Sequence, residues 1–122
     1  MKYLCLVYHE EAKIDALSET VQAELICETM EFRDHLRRSG YEIASSPLQP
    51  VKAATTIRVR DGALAITEGP FAVTHEQLGG FYLIEARDLN DAIRIASRMP
   101  PARLGCIEVR PLQEFPVGLC EV

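Results

Sequence analysis

The stretch Ile66 to Ala86, ITEGPFAVTHEQLGGFYLIEA, constrains this fold most, because a turn, a helix signal and a buried strand follow one another within 21 residues. Gly69-Pro70 imposes a turn or extended geometry ahead of Phe71, since proline fixes its own φ and biases the preceding residue away from helix. Thr74 stands three residues before Gln77, the spacing of a capping box. Gly79-Gly80 then ends the helix this predicts from Thr74 after little more than a turn. Phe81, Tyr82, Leu83 and Ile84 form an apolar, β-favouring run that suits a strand covered on both faces.

The chain's first strand makes the same demand. In Tyr3 to Tyr8 the apolar residues Leu4, Leu6 and Tyr8 alternate with Tyr3, Cys5 and Val7, so neither face of the strand suits water. His9-Glu10-Glu11 closes it. Ser18 caps a helix expected over about Glu19 to Ser39, with Val21, Leu25, Thr29, Phe32 and Leu36 at helical spacing and Gly40 as its C′ residue. Tyr41 to Ser45 reads as a short strand, and Pro47 and Pro50 as a loop. Asp61-Gly62 is a type I′ turn pair, predicting a hairpin of Thr55 to Arg60 with Ala63 to Thr67. Its register pairs Val59 with Leu64 and Ile57 with Ile66 on one face. Asp88 caps a further helix with the stripe Leu89, Ala92, Ile93, Ala96 and Met99, which Pro100-Pro101 stops. Gly105 to Arg110 is the last strand.

With the hairpin set aside as an insertion, the order is strand, helix, strand, strand, helix, strand, the pattern of a ferredoxin-like split βαβ. Two helices cover one face of such a sheet. The other face, also apolar, needs a second copy of the chain related by a two-fold axis. The expected architecture is therefore α+β, a ferredoxin-like dimeric α+β barrel with an inserted β-hairpin, and a single domain spanning residues 1–122.

Composition narrows the function. A formal net charge of −5 argues against direct binding to a nucleic-acid backbone. No apolar run approaches the roughly 20 residues that span a bilayer, so no membrane partner is expected. The four cysteines, Cys5, Cys27, Cys106 and Cys120, lack metal-binding spacing. With no signal peptide read at the N-terminus, they predict reduced thiols in a cytoplasmic protein. The chain has no dinucleotide fingerprint, phosphate loop or nucleophile elbow, and no cofactor or metal is expected.

Topology gathers His9, Glu68, His75, Arg98 and Arg103 at one end of the sheet and leaves His35, read as partly buried, at the other. His9, Glu68 and His75 are the candidates for acid/base work. Arg103 is a candidate carboxylate clamp. Tyr8, Phe71 and Tyr82 are candidate apolar walls around a small anionic or aromatic molecule, with Glu68, Gly69 and Pro70 forming the turn beside it. A competing reading takes these charges as solvated and the aromatics as core.

The runs EGPFAVTHEQLGGFYLIEARDL and MPPARLGCIEVRPL, with the SPLQP segment, resemble the DGPF-domain branch of the YCII-related family, in order over nearly the whole chain. The resemblance implies the dimeric α+β barrel. It also implies a ligand-binding or regulatory module, since genes of that branch often lie beside extracytoplasmic-function sigma factors. The alternative it carries is a small-molecule enzyme akin to muconolactone isomerases or related lyases and dehalogenases. Simpler YCII-like members have an acid/base dyad, a histidine early in the long helix and an aspartate before the proline ending the second. Here Met99 precedes Pro100 and no histidine stands in the first two turns of the long helix. The motif itself reads Glu68-Gly69-Pro70-Phe71, and Val73 and His75 replace the branch's usual acid and lysine.

Overall fold

A computed structural model of the chain describes residues 1–118 and 120. Strand β1, Lys2–His9, lies at the centre of a four-stranded antiparallel sheet. Its neighbours are β5, Gln77–Glu85, and β6, Gly105–Pro111, while β2, Glu42–Pro47, flanks β5, giving the order β2-β5-β1-β6. Two helices, α2 at Glu19–Arg38 and α3 at Leu89–Ala96, alternate with these strands to complete the split βαβ unit. A short helix α1, Glu11–Asp15, follows β1 directly. The sequence reading missed it, because its N-terminus at Glu10 has no side-chain cap and its five residues are too few to show a period.

One face of the sheet packs against the helices. Tyr3, Cys5 and Val7 of β1 join Tyr82 and Ile84 of β5 there, with Leu36 of α2 and Ala92, Ile95, Ala96 and Met99 from α3 and its C-terminal turn. The register fixes which residues look the other way: Leu4 opposes Leu83, Leu6 opposes Phe81, and Tyr8 opposes Cys106. Among the described residues no element covers that second face, and the half-buried Leu4, Leu6, Tyr8, Phe81 and Leu83 form its apolar strip.

The helix caps act as expected: Ser18 Oγ accepts from the Val21 amide and Asp88 Oδ1 from the Asp91 amide, each satisfying an otherwise orphaned donor. The α3 stripe is rotated from the sequence reading. Ile95 is buried, whereas Leu89 and Ile93 are about half exposed, so the inward set is Ala92, Ile95, Ala96 and Met99. Asp91, next to Ala92, is buried as well. It accepts from the Arg87 amide and from Arg94 Nη2 at 2.7 Å, and these donors hold its carboxyl down to about 2 against the cost of burial. His35, expected to be partly buried, is exposed.

The hairpin has the expected register. Strands β3, Thr55–Arg60, and β4, Ala63–Glu68, pair Ile57 with Ile66 and Val59 with Leu64, and form a sheet of their own. Asp61 and Gly62 both have positive φ, as a type I′ turn requires. Gly69, at φ +94°, bonds back to the hairpin base through its amide to the Ala54 carbonyl.

The helix expected from Thr74 does not form. The Thr74 hydroxyl donates to the Glu76 carbonyl rather than capping a turn, and Gln77 Nε2 donates to the carbonyls of Thr74 and His75. Gln77 Oε1 also accepts from the Glu11 amide, so this residue ties the segment to α1 and opens β5. Gly79 and Gly80 accordingly belong to a strand. Gly79 lies at the register shift opposite Val7 and Tyr8, and Gly80 passes close to the backbone of Ser46 and Pro47.

Candidate functional site

A cavity of about 500 Å³ lies between the N-terminal half of α2 and the helix-facing side of the sheet. Towards its C-terminus α2 meets the sheet directly, with Phe32 edge-on to Tyr82 at 6.2 Å and Leu36 buried. Further up the helix Leu25, Ile26, Thr29 and Met30 line space instead of core. Ile26 and Met30 are both about 60 % exposed, which marks the open side. Ile14 of α1, Pro101 and Leu104 close the end nearest His9. Gln22 secures that closure, donating from Nε2 to the carbonyls of Ile14 and Leu17.

Polar groups enter the lining at two places. His9, the last residue of β1, lies across Gly79, where a Cβ would collide with the imidazole Cε1. Neither ring nitrogen is hydrogen-bonded to another described residue, so both are available to a ligand. The second place is deeper, about four residues back along β1 or roughly 13 Å by strand rise. There Arg33 donates from Nη2 to the Ser45 carbonyl at 3.1 Å and from Nε to Glu42 Oε1 at 3.3 Å. Glu42 also takes the Ser45 hydroxyl and Arg37. Burial of its side chain opposes ionisation, but the Ser45 hydroxyl and the two guanidiniums prevail, holding the carboxyl below its usual range. Tyr82 shares this end. Burial raises the pKa of its phenol, against the opposing pull of Arg33, so the hydroxyl remains a proton donor. Among the described residues no Asp or Glu side chain lines the cavity.

Of the residues read as a site from sequence, His9 and Tyr82 line this cavity. Tyr8 points to the opposite face of the sheet, paired with Cys106. Glu68 ends β4, and Glu68, Gly69, Pro70 and Phe71 are absent from the cavity lining, with Phe71 79 % exposed. His75 reaches Glu10 at 3.5 Å with its side chain 81 % exposed, and Arg103 pairs with Glu28 of α2 at 2.7 Å on the outside. Topology thus brings His9, His75 and Arg103 to one end, but only His9 turns inward. Arg33 and Ser45 had no place in the sequence-read site, and neither did Thr29, read as part of the helix stripe, or Gly79, read as a helix stop. A signal existed: Gln22, Thr29 and Arg33 interrupt an otherwise apolar stripe of Leu25, Ile26 and Met30, and a core stripe has no use for them. Among the described residues no group of three or more His, Cys, Asp or Glu side chains is placed to hold a metal ion. No described helix is long and apolar enough to cross a membrane.

Comparison with known proteins places this geometry. An uncharacterized protein of Rhizobium meliloti (strain 1021) is 32% identical over 120 residues, 97% of each chain. Among solved structures, the 5-chloro-2-hydroxyhydroquinone dehydrochlorinase TftG of Burkholderia phenoliruptrix AC1100, in complex with 2,5-dihydroxybenzoquinone, superposes with a TM-score of 0.57. At 12% identity over 94% of this chain and 96% of that one, the likeness is one of fold, a ferredoxin-like α+β barrel. The model of the YCII-related domain matches residues 1–116, and the chain belongs to the YCII-related family.

Proposed function

We propose that this protein is a small-molecule-binding homodimer of one domain per chain, whose ligand occupies the cavity between α2 and the sheet. The observation that carries the reading is the cavity's furnishing: mostly apolar walls with a few convergent polar groups, in a volume within the range of ligand sites. A purely structural gap between helix and sheet has no need of an imidazole with two unpartnered nitrogens or of a guanidinium drawn in until it is only about one-third exposed, at 34%. The homodimer is supported by the uncovered strip of Leu4, Leu6, Tyr8, Phe81 and Leu83, which pairing of two sheets about a two-fold axis would bury. The hairpin adds a second uncovered apolar face, with Ile57, Val59, Leu64 and Ile66 each about 60 % exposed. A two-stranded sheet is marginal by itself, and a second copy supplies the missing cover.

A second reading, an acid/base enzyme, is favoured by one specific observation, the placement of His9. An imidazole at a cavity wall with both nitrogens free can take or give a proton near neutral pH. The fold neighbour that binds 2,5-dihydroxybenzoquinone supports small-molecule chemistry on this scaffold. Residue by residue, however, the acid of the simpler YCII-like dyad is missing, since Met99 is 1 % exposed in the core. A ligand carried through purification and identified by mass spectrometry would supply the substrate for a test. The binding reading expects His9→Gln to weaken binding only modestly, with the wild type returning the compound unchanged. Turnover by wild type that His9→Gln abolishes would replace it with the enzyme reading.

A further inference from the structure

The charges around the deep end of the cavity do not cancel. Arg33 and Arg37 converge on one carboxylate, Glu42, and among the described residues neither guanidinium has a second acidic partner. One positive charge is therefore left over, and the cavity lining holds no acid to meet it. Two of the five guanidinium N–H groups of Arg33 are engaged, which leaves donors for a guest.

Beside it stands the Tyr82 hydroxyl. Tyr82 is 5 % exposed and lines the cavity, and its hydroxyl makes no hydrogen bond among the described residues. No described side-chain polar atom is both fully enclosed and unpartnered, so this hydroxyl opens onto the cavity, within reach of a guest. An unused donor and a surplus cation, together at one end of an apolar cavity, describe the complement of an anion. The arginine fork matches a planar two-oxygen anion better than a spherical one.

We propose that the cavity takes a small organic monoanion of the carboxylate class, its acid group held by Arg33 and the Tyr82 hydroxyl. Its apolar body lies along Leu25 and Met30, with its far end at His9. This rests on the reading of the cavity as a ligand site and adds the ligand's charge and polarity of insertion. A neutral guest would leave the surplus charge of the Arg33, Arg37 and Glu42 cluster without a counterpart in a partly dry site. A cationic guest would face it directly. A dianion would bring a second charge for which the deep end has no partner.

The test uses the whole protein and N-phenyl-1-naphthylamine, a neutral fluorophore that brightens in apolar cavities, displaced by phenylacetate, phenylacetamide or phenethylamine. Phenylacetate is expected to displace it at about one-tenth the concentration of the amide or less, the margin of a charge-assisted hydrogen-bond pair, and the amine is expected to be weakest. Arg33→Met should bring acid and amide together, while Arg33→Lys and Tyr82→Phe each keep part of the gap. The latter two variants keep the test informative if removing the guanidinium from Glu42 unfolds the protein, which circular dichroism reports. Equal displacement by acid and amide, a gap unchanged across folded variants, or no displacement of bound fluorophore would overturn the monoanion and leave the cavity standing. Failure of the fluorophore to bind, or binding indifferent to Ile26→Trp at the mouth, would overturn the cavity reading and the monoanion with it.

Discussion

The cavity wall of α2 and the hairpin face that carries Ile57, Val59, Leu64 and Ile66 are both apolar and uncovered among the described residues, and they differ in what is mixed among the apolar groups. The cavity wall has Gln22, Thr29 and Arg33 interleaved with Leu25, Ile26 and Met30, and faces His9 and Tyr82 across a gap. The hairpin face is apolar until its base, where Thr55 and Glu68 pair. A concave surface with fixed donors selects a small guest by polarity. A surface of uninterrupted aliphatic groups offers area without direction, which suits another protein surface and above all a second copy. The open face of the sheet belongs with the hairpin in this respect, since Leu4, Leu6, Phe81 and Leu83 form a patch whose charges lie at its margins, Arg110 and Glu108 on β6 and the Lys2 and Glu85 pair at one end.

If that division is right, substitutions on the two surfaces have separable effects. The largest is expected from Leu6→Arg at the centre of the open face, with Ile57→Lys on the hairpin as its companion. Each buried aliphatic side chain contributes about 1.5–3 kcal/mol, so loss of one at an interface together with a buried charge should move sedimentation at micromolar concentration from dimer to monomer. Probe binding in the cavity should survive in the monomer. A wild type that sediments as a monomer would remove the distinction.

Next in size is Gly79→Val, which acts on the cavity alone. The added side chain must displace the His9 ring, at an overpacking cost of about 1–3 kcal/mol in urea unfolding, and fluorophore affinity should fall while the dimer persists. An unchanged affinity would show that His9 does not define the cavity end.

A smaller effect bears on the scaffold that both surfaces share. Asp91 titrates near 2, below an ordinary aspartate, because the Arg87 amide and the Arg94 guanidinium favour its charged form. Its folded pKa is depressed, so its contribution is complete above about pH 4, the unfolded value, and is lost as pH falls towards 2. Asp91→Asn should lower the urea midpoint at neutral pH and flatten its decline over that acid window. A decline as steep as the wild type's would assign acid sensitivity to other carboxylates, Glu42 first.

The smallest effect concerns thiols. Burial pushes Cys5 up to about 11, so iodoacetamide should modify it last. Cys27, on α2, and Cys106, on the open face, are both exposed in the protomer. Alkylation of Cys106 slower than Cys27 in wild type, and equal to it in Leu6→Arg, would locate the partner on that face.

The fold was largely legible because it rests on period and punctuation. Alternation in Tyr3 to Tyr8, the caps Ser18 and Asp88, and Asp61-Gly62 are local signals with one geometric outcome each. The site was less so, for reasons that particular residues show. Thr74 and Gln77 have capping-box spacing, but Gln77 finds a better use bridging to the Glu11 amide and the carbonyls of Thr74 and His75, and β5 begins there. The chemistry then moves from the 68–75 segment to residues that converge only in three dimensions. Gly79 reads as a helix stop until the register shift puts it under His9. Arg33 gains its partners only when Glu42 and Ser45, from β2, are placed beside it.

The three histidines sit in three different surroundings, His9 at the cavity, His75 on the exposed segment before β5, and His35 on the outer side of α2, so one experiment can ask which of them meets a ligand. Titration of imidazole-labelled protein with phenylacetate, followed by NMR, should shift the His9 resonances saturably and leave those of His75 and His35 in place. Shifts confined to His75, with His9 silent, would put the site at the Glu68 to Phe71 turn and contradict the assignment of the cavity.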